Sequence, residues 1–343
     1  MNTQLLQNAV LGEPVSREQA ADLLRAFASG EVGPELLAAA LTALRIRGES
    51  VPVLLGFVDV LREHLIPVNA AGLAAVDLCG TGGDGQGTVN LSTAAAFVVA
   101  GAGVPVAKHG NHGVSSPIGS ADVLAALGIA PSRDPLSAER ALREFGLGFI
   151  YAPAHHPLFA RIGPVRRQLG FRTAFNLLGP LCNPARVRRQ VIGVPSLEAL
   201  ETVAQVLLQL RVERALVVHT PGPYDEVSLT APALGIKVED GELEALELAP
   251  ELFGTHLLPP DVLKGGDAAF NAGRIQAVLE GEASGLAEAI CANAACALWI
   301  AGAAKDLREG FACAKASLQA GHALAKLQAL RGFSQERAHD LAV

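Results

Sequence analysis

The sequence is poor in aromatic residues, in charged residues and in basic charge. Of its 343 residues, half are hydrophobic, 18% are charged and only 4% are aromatic. This aliphatic composition excludes a disordered chain and is typical of a globular protein with one large domain or two unequal ones. The 34 acidic residues outnumber the 27 basic ones, for a net charge of -7. The acidity argues against nonspecific nucleic-acid binding, so any anionic partner must be met by local positive charge.

The sequence also lacks paired cysteines, an export signal and an apolar segment long enough to cross a membrane. Its five cysteines form no C-x-x-C pair, so we expect reduced thiols rather than a disulfide framework or a zinc site. The first residues, MNTQLLQNAVLGEPVSREQA, have no basic segment followed by an apolar one, as a secretion signal would. The longest apolar runs, 94–107 and 286–304, are short or interrupted. We therefore expect a cytoplasmic protein with no membrane partner.

Helical spacing predicts a small bundle in the first part of the chain. Between residues 16 and 65, apolar residues recur three or four positions apart, with Gly and Pro between the blocks. The pattern changes near 67–72, after which short apolar strands alternate with helical stretches. Because such alternation forms parallel sheets, we predict an α/β fold. It comprises a small N-terminal helical domain (1–72), to which helices around 164–186 also belong, and a larger α/β domain (73–343) with a mainly parallel sheet. The predicted strands are 73–79, 104–107, 148–152, 190–194 and 214–219.

The last third of the chain has a different pattern. Residues 227–248 contain a D-G turn between mixed apolar and polar stretches, which predicts a small antiparallel excursion. Residues 271–330 are rich in Ala at helical spacing and are expected to close the domain.

A glycine-rich loop follows the first predicted strand. Residues 80–87 read GTGGDGQG, and the polar side chains of Thr88, Asn90, Ser92 and Thr93 come next. Glycines let backbone N–H groups approach an anion closely, and the start of the next helix adds donors and a favourable dipole. The loop therefore suits a phosphate, although a tight turn with Ser92 or Thr93 as an ordinary helix cap fits the same residues. It is neither a P-loop nor a complete dinucleotide-binding fingerprint.

A second loop of this kind follows the next strand. Residues 108–116 read KHGNHGVSS, and Gly119 and Ser120 then open another helix. A lone lysine in a loop is usually solvated, but Lys108 lies at a strand end among glycines, an asparagine and serines, which favours an anion site. Because the carboxyl ends of parallel strands share one crevice, the two loops together favour a doubly phosphorylated ligand.

Positive charge is concentrated in one segment. Between Phe145 and Leu197 there are seven arginines and no acidic residue. In a protein of negative net charge this excess predicts an electropositive surface suited to a carboxylate or a phosphate. Most of the seven are expected on a solvated face or a subunit contact. Arg166 stands out because the preceding residues 163–165 predict a helix start. The seven are Arg161, Arg166, Arg167, Arg172, Arg186, Arg188 and Arg189.

Two adjacent acids follow the last parallel strand. Asp225 and Glu226 come after the strand predicted at 214–219 and a turn that contains two prolines. Adjacent acids are usually solvated loop residues. Beside a phosphate site, however, they supply the hard oxygen ligands that Mg²⁺ prefers, with water and phosphate completing its shell. We therefore expect Mg²⁺ at this strand end.

Four segments carry a family resemblance. They read GTGGDGQGTVNLSTAAAF, KHGNHGVSSPIGSADVLAALG, PVRRQLGFRTAFNLLGPLCNP and YDEVSLT. In this order and spacing they resemble the anthranilate phosphoribosyltransferase family, and the resemblance covers nearly the whole chain. It implies a nucleoside phosphorylase/phosphoribosyltransferase-like fold and a homodimer formed through the helical part. It also implies Mg²⁺-dependent transfer of the phosphoribosyl group of phosphoribosyl pyrophosphate (PRPP) to the amine of anthranilate, the second step of tryptophan biosynthesis from chorismate.

The resemblance also implies which residues form the site. No residue is implied as nucleophile, acid or base, and none of His109, His112, His155 and His156 is required as a base. This fits a reaction that depends on orientation and electrostatics. The implied anthranilate contacts are Gly80, Asn111 and Arg166, and the implied Mg²⁺ ligands are Ser92, Asp225 and Glu226. The implied PRPP contacts are Gly80, Gly82, Gly83, Asp84, Thr88, Asn90, Leu91, Ser92, Thr93, Lys108, Gly110, Ser115, Ser116 and Ser120.

Two residues depart from the family pattern. The second loop usually reads KHGNR, and His112 replaces a permanently charged arginine with a side chain that is mostly neutral at pH 7. Gly87 stands where a larger polar residue is common, which is expected to soften the first loop.

Two other functions stay open at this point. Pyrimidine-nucleoside phosphorylases share the fold type and a Lys-His loop but use phosphate and a nucleoside, whereas the GTGGD loop with Asp225 and Glu226 favours pyrophosphate and a metal. Catalytically silent relatives that bind nucleic acid lack the intact loops, and the acidity of this chain argues against that role.

Overall fold

Four short helices form a bundle in the first part of the chain. The structure, a computed structural model, describes residues 4–83, 85–113 and 118–340. Helix α2 begins at a capping box, in which Ser16 and Gln19 bond each other's backbone N–H groups. Apolar faces such as those of Leu24 and Leu54 meet in a core that excludes water. The helices are α1 (Gln4–Leu11), α2 (Arg17–Ser29), α3 (Pro34–Arg47) and α4 (Val51–His64).

The larger part of the chain is a seven-stranded sheet with helices on both faces. The order is β3-β2-β1-β4-β5-β6-β7, with β1 to β5 parallel and the last two strands antiparallel. The predicted α/β fold, with a mainly parallel sheet and an antiparallel excursion, is confirmed. The strands are β1 (Val76–Gly80), β2 (Val106–Gly110), β3 (Leu147–Tyr151), β4 (Arg189–Gly193), β5 (Arg214–His219), β6 (Ala233–Glu239) and β7 (Glu242–Leu248).

The D-G turn forms a tight hairpin between β6 and β7. Asp240 and Gly241 both have a positive φ, at 51° and 79°, as a two-residue hairpin turn requires. The turn therefore returns β7 along β6 at the edge of the sheet.

Alternate residues of the parallel strands face two separate cores. In β5, Leu216 and Val218 pack with α5 and the C-terminal helices, whereas Ala215 and Val217 pack with α11 and the bundle. The Ala-rich tail thus closes one face of the domain, as predicted. The helices of this part are α5 (Leu91–Gly101), α6 (Ser120–Ala126), α7 (Pro135–Phe145), α8 (Ala152–His155), α9 (Pro157–Leu169), α10 (Phe175–Leu178), α11 (Leu197–Gln209), α12 (Pro250–Phe253), α13 (Ala268–Leu279), α14 (Gly285–Ala301), α15 (Leu307–Gln319) and α16 (His322–Asp340).

Helices α9 and α10 pack back onto the N-terminal bundle. Leu158 and Ile162 of α9 are buried in the same apolar cluster as α2 to α4. Phe175 of α10 stacks on Phe57 of α4, with 5.4 Å between ring centroids. The domain boundary at residue 72 stays a prediction, because this cluster continues beneath the sheet to α11.

One predicted helix start is wrong, and one alternative helix cap is not observed. Residues 163–165 do not begin a helix, because α9 starts at Pro157 and Pro164 lies inside it. Pro157 supplies the fixed φ and the missing N–H that suit a first helical position, and the ring of Pro164 lies on the exposed side. Neither Ser92 nor Thr93 caps α5, which begins at Leu91 after Asn90.

The order in which strands are added to the sheet reverses at β1. Strand β2 lies on one side of β1 and β4 on the other, and ligands of open α/β sheets bind at such a switch point, beyond the carboxyl ends of the strands. Within the described residues, no helix has the length and apolarity needed to cross a membrane.

Candidate active site

A large cavity opens beyond the carboxyl ends of the parallel strands. Its volume is about 1060 Å³, and its walls come from the loops after β1, β2 and β5 together with α9 and α10. It brings together most of the residues that the sequence predicted. Those lining it are Gly80, Gly82, Gly83, Thr88, Asn90, Ser92, Thr93, Lys108, Gly110, Asn111, Ser120, Arg166, Asp225 and Glu226.

Four of the predicted residues are not placed in the cavity wall. Leu91 is 1% exposed, and its side chain packs in the core between the sheet and α5 rather than in the cavity. Asp84, Ser115 and Ser116 lie outside the described residues.

The two acids lie against the first glycine loop. The carboxylate Oδ2 of Asp225 accepts a hydrogen bond from the backbone N–H of Gly82 at 2.7 Å. The Oε1 atom of Glu226 accepts one from the N–H of Ser92 at 2.9 Å, at the start of α5. The segment after β5 is therefore bonded directly to the loop that the sequence assigned to a phosphate.

Close packing explains why the ends of β1 and β4 are glycines. A Cβ atom on Gly80 would lie 2.1 Å from Asp225 Oδ2, and one on Gly193 would lie 1.5 Å from the Asp225 carbonyl oxygen. The two glycines face each other in the register of β1 and β4. Sequence reasoning missed Gly193, and a glycine at the end of a predicted parallel strand was the available signal.

Lys108 is a buried cation beside the acids. Only 3% of it is exposed, and its ammonium donates to the carbonyl of Leu78 at 2.5 Å and to Ser92 Oγ at 3.2 Å. It thus lies between the strand end and the hydroxyl predicted to bind metal.

Behind Lys108 lies a fully buried carboxyl group that sequence reasoning missed. Asp77 Oδ2 accepts a hydrogen bond from the side chain of Asn183 at 2.7 Å. Burial raises the pKa of Asp77, while the positive charge of Lys108 opposes the rise. An acid inside the apolar strand that precedes the glycine loop was the signal that could have found it.

The second loop is held by its own backbone and by α6. The hydroxyl of Ser120 donates to the carbonyl of Asn111 at 3.3 Å, and the N–H of Ala121 donates to the same oxygen at 3.1 Å. A Cβ atom on Gly110 would lie 2.3 Å from Ser120 Oγ. A side chain at position 110 would therefore displace the Ser120 hydroxyl from Asn111.

His112 is paired with an acid of α6. Its Nδ1 lies 2.5 Å from Asp122 Oδ1, and the other Asp122 oxygen accepts the N–H groups of Gly113 and Gly119 at 3.0 and 2.8 Å. Burial raises the pKa of Asp122, but the hydrogen bonds from Gly119, His112 and Gly113 outweigh it and hold the pKa below its usual value. Asp122 therefore stays ionised and fastens the loop.

Three of the seven arginines reach the cavity, namely Arg166, Arg167 and Arg172. Burial, and next the charge of Arg172, lower the pKa of Arg166, as expected for a cation that is held in place for an anion. Arg172 donates to the carbonyl of Gly82 at 2.7 Å. Of the others, Arg161 bonds carbonyls of α2, and Arg189 pairs with Glu213.

One neutral histidine, His109, lines the cavity, and a second, His156, is buried against it. The rings of His109 and His156 are 5.0 Å apart, and that of His156 meets Phe159 edge-on. Burial lowers the pKa of His156 to about 4 and that of His109 well below its usual value. Both rings are therefore uncharged at neutral pH and present an apolar surface. His155 is buried and bonds the carbonyl of Ile66.

The far rim of the cavity comes from α13. Asn271 accepts the N–H of Gly266 at 2.8 Å and donates to Asn90 at 3.3 Å, and both Gly266 and Asn271 line the cavity. Sequence reasoning included this segment in the family resemblance but assigned it no role.

The fold and the cavity are those of a glycosyl transferase. Residues 3–65 match the family model for the helical bundle domain of the glycosyl transferase family, and residues 72–324 match the model for its α/β domain. Together the two models span most of the chain.

Individual relatives show to which family of glycosyl transferases the chain belongs. The anthranilate phosphoribosyltransferase of Bradyrhizobium sp. (strain ORS 278) is 48% identical over 96% of this chain and 98% of its own, and that of Thermomicrobium roseum is 47% identical over 96% of each. The crystal structure of anthranilate phosphoribosyltransferase from Thermus thermophilus is 40% identical, with a TM-score of 0.89 over 96% of this chain and 99% of the other. The chain belongs to the anthranilate phosphoribosyltransferase family.

A more distant structure shares the fold. The anthranilate phosphoribosyltransferase of Saccharomyces cerevisiae, in complex with PRPP and Mg, is 22% identical with a TM-score of 0.88, over 98% of both chains.

Proposed function

We propose that the protein transfers the phosphoribosyl group of PRPP to the amine of anthranilate and releases pyrophosphate, the second step of tryptophan biosynthesis from chorismate. One observation carries the proposal: two glycine-rich loops, a carboxylate pair and a partly buried arginine meet at one cavity on the switch point of the sheet. The yeast structure that shares this fold is a complex with PRPP and Mg.

PRPP would lie along the two loops. The first loop offers its glycine backbone and the polar side chains at the start of α5, and the second offers Gly110 and Ser120. Glycine-rich turns and helix starts bind phosphate in this way. Asp84, Thr88, Asn90, Leu91, Thr93, Ser115 and Ser116 complete the proposed contacts.

The residues present suit Mg²⁺. Asp225, Glu226 and the hydroxyl of Ser92 are hard oxygen donors on one side of the first loop. In the parts of the chain described by the structure, no group of three or more His, Cys, Asp and Glu could hold a metal alone. Mg²⁺ is commonly held by one or two carboxylates while substrate phosphate and water complete its shell. Bound there, the cation would neutralise charge on the departing pyrophosphate.

Anthranilate would lie at the arginine side of the cavity. Arg166 would pair with its carboxylate, Asn111 and Gly80 would contact it, and the neutral ring of His109, which packs on His156, would lie beside its aromatic ring. Such contacts fix the amine near the anomeric carbon, and positioning of this kind is a large part of the rate gain in two-substrate reactions.

The chemistry needs little beyond position and charge. The bond between the anomeric carbon and the pyrophosphate oxygen breaks, the amine nitrogen bonds to that carbon, and the surplus amine proton leaves to solvent. Lys108 and the N–H groups of the loop stabilise the negative charge that grows on pyrophosphate. The neutral amine is already a nucleophile, so no side chain has to act as its base.

The homodimer and the cytoplasmic location belong to the same proposal. Val10, Leu11 and Ile46 are 70%, 74% and 81% exposed, and they lie at one end of the bundle because Arg47 bonds the carbonyls of Asn8, Gly12 and Glu13. Exposed aliphatic side chains grouped in this way are typical of a subunit contact.

A substrate comparison tests the proposed function. Purified protein with Mg²⁺ is mixed with anthranilate and PRPP, and the loss of anthranilate fluorescence is followed while the ribosylated product is identified by mass. A parallel sample receives inorganic phosphate and a pyrimidine nucleoside. We expect turnover only in the first. Cleavage of the nucleoside, with anthranilate untouched, would assign the protein to the phosphorylases instead.

A further inference from the structure

A polar side chain, Asn293, lies in the buried middle of helix α14. The residues of α14 around it, from Ala289 to Leu298, are buried and otherwise apolar, and Asn293 is 5% exposed. A buried carboxamide without partners destabilises the fold, so a residue of this kind has to be held by hydrogen bonds. Its partners identify its role.

Asn293 bonds both backbone groups of a single residue after the acids. Its Nδ2 donates to the carbonyl of Val227 at 2.8 Å, and its Oδ1 accepts the N–H of Val227 at 3.1 Å. The remaining Nδ2 hydrogen goes to the carbonyl of Ala289, one turn earlier in α14, at 2.9 Å. Because an N–H can only donate and a carbonyl can only accept, this pattern fixes the orientation of the carboxamide.

The side chain of Thr220, the residue directly after β5, holds the same segment. The hydroxyl of Thr220 donates to the carbonyl of Glu226 at 2.7 Å and accepts the N–H of Ser228 at 3.3 Å. Leu229, the next residue, is buried with a φ of 60°, an unusual conformation for leucine that persists only where its surroundings impose it. The backbone from Glu226 to Leu229 is therefore fixed on two sides.

The position of the carboxylates depends on this backbone. Asp225 reaches Gly82, and Glu226 reaches Ser92, through hydrogen bonds of 2.7 and 2.9 Å. We propose that Asn293 is a positioning residue that holds the Asp225–Glu226 backbone in the form that binds the divalent cation. This inference rests on the proposed function, because it takes the acids to be the metal ligands.

The test compares metal affinity with stability in Asn293→Ala and in Thr220→Val. Mn²⁺ replaces Mg²⁺ as the probe, and its binding in the presence of PRPP is measured from the electron paramagnetic resonance signal of free Mn²⁺. Since partners that orient metal ligands contribute about tenfold or more to metal affinity, we expect the Mn²⁺ dissociation constant to rise about tenfold in each variant. Hydrogen exchange of the Val227 amide, measured without metal, should become faster in Asn293→Ala.

Ser317→Ala is the matched control. Ser317 is equally buried and bonds the carbonyl of Val98 at 2.9 Å, near the end of α5 that is distant from Ser92. It loses one buried hydrogen bond, so its Tm should fall while its Mn²⁺ affinity stays within about twofold of wild type.

Each outcome decides a separate question. If folded Asn293→Ala binds Mn²⁺ as tightly as wild type, or if Ser317→Ala loses as much affinity, the positioning role is wrong. If Asn293→Ala does not fold, Thr220→Val decides on the same criterion. If the wild-type protein binds no Mn²⁺ with PRPP and transfers no phosphoribosyl group, it is the proposed function that fails.

Discussion

His112 occupies a loop position where the family usually has arginine. Its ring is tied to Asp122, whose carboxylate also holds Gly113 and Gly119. The side chain is half exposed and lines the cavity. It therefore keeps the loop fastened, but it lacks the permanently charged, forked guanidinium that arginine would supply.

Restoring the arginine should strengthen substrate binding. In His112→Arg, Asp122 remains as a partner and the loop gains a permanent positive charge close to the anionic ligand. We expect a lower apparent KM for one substrate, with turnover retained, measured by steady-state kinetics with each substrate varied in turn. A KM that is unchanged or higher for both substrates would contradict this.

The sequence predicted the residues of the site that lie in local motifs, but not those that reach it from elsewhere. Gly80, Lys108 and Asp225 stand in loops whose composition already suits phosphate or metal. Gly193 and Asn293 act only because the fold places them against Asp225 and Val227, at sequence separations that no local pattern encodes. A buried asparagine in an Ala-rich helix looks like any other weak helix former until its partner is known.

At the scale of elements, the ends of β1 and β4 lie directly beneath Asp225. Both end in glycine, and the segment that carries the acids crosses directly above them. The absence of two side chains is what allows a carboxylate-bearing loop to lie at the switch point.

Adding one methyl group at position 193 should displace the acids. In Gly193→Ala the new Cβ would overlap the carbonyl of Asp225, at 1.5 Å in the present backbone, so the loop has to move. We expect a lower Tm and at least about a tenfold loss of kcat/KM, since misplacement by about 1 Å can cost about a hundredfold. Thermal melts and kinetics on the same preparation would measure both.

Gly332→Ala is the control for this substitution. Gly332 lies inside α16 with open space around its Cβ direction, and alanine there should stabilise the protein by about 0.5–1 kcal/mol. Full activity in Gly193→Ala would show that the loop after β5 can accommodate a Cβ atom at position 193 without displacing the acids.

Most elements were predictable from the chain, because apolar strands alternate with capped helices and the D-G turn marks a hairpin. The start of α9 was not predictable, because Pro157 and Pro164 each suit a first helical position. Packing decides between them, since Leu158 and Ile162 must both reach the bundle core. Only a helix that starts at the earlier proline places both there.

At the scale of the whole molecule, buried histidines should weaken the fold in acid. The pKa of His156 is lowered by burial to about 4, against about 6.5 for the unfolded chain. Between these values the unfolded chain binds a proton that the folded one does not, so stability falls as pH falls from about 6.5 toward about 4. The decline is at most about 1.4 kcal/mol per pH unit for one such group.

Removing the buried imidazole should flatten this dependence. We expect the loss of Tm between pH 7 and pH 5 to be smaller in His156→Gln than in wild type, whatever its stability at pH 7. Substitution of the exposed His64 by Gln should leave the wild-type slope. Parallel slopes in all three proteins would mean that acid unfolding is governed by other groups.

The exposed aliphatic end of the bundle makes oligomeric state a whole-molecule prediction. A charge at Ile46, which is 81% exposed, would be solvated in a monomer but buried in a dimer formed through this surface. We expect wild type to sediment as a dimer and Ile46→Glu as a monomer. Arg188→Glu, an exposed change at the opposite end of the sheet from the cavity, should leave the dimer intact. Identical sedimentation of wild type and Ile46→Glu would place the subunit contact elsewhere.

The chain has a net charge of -7, yet its site brings Lys108 and three arginines together with a carboxylate pair. The central claim is that the carboxylates act through a divalent cation in phosphoribosyl transfer. The most direct measurement is anthranilate consumption with PRPP, followed by fluorescence, for wild type and Asp225→Asn with Mg²⁺ and with EDTA. We predict turnover by wild type with Mg²⁺, none with EDTA, and a loss of at least about a hundredfold in Asp225→Asn that excess Mg²⁺ restores only in part. Metal-independent turnover, or full activity in Asp225→Asn, would contradict the account.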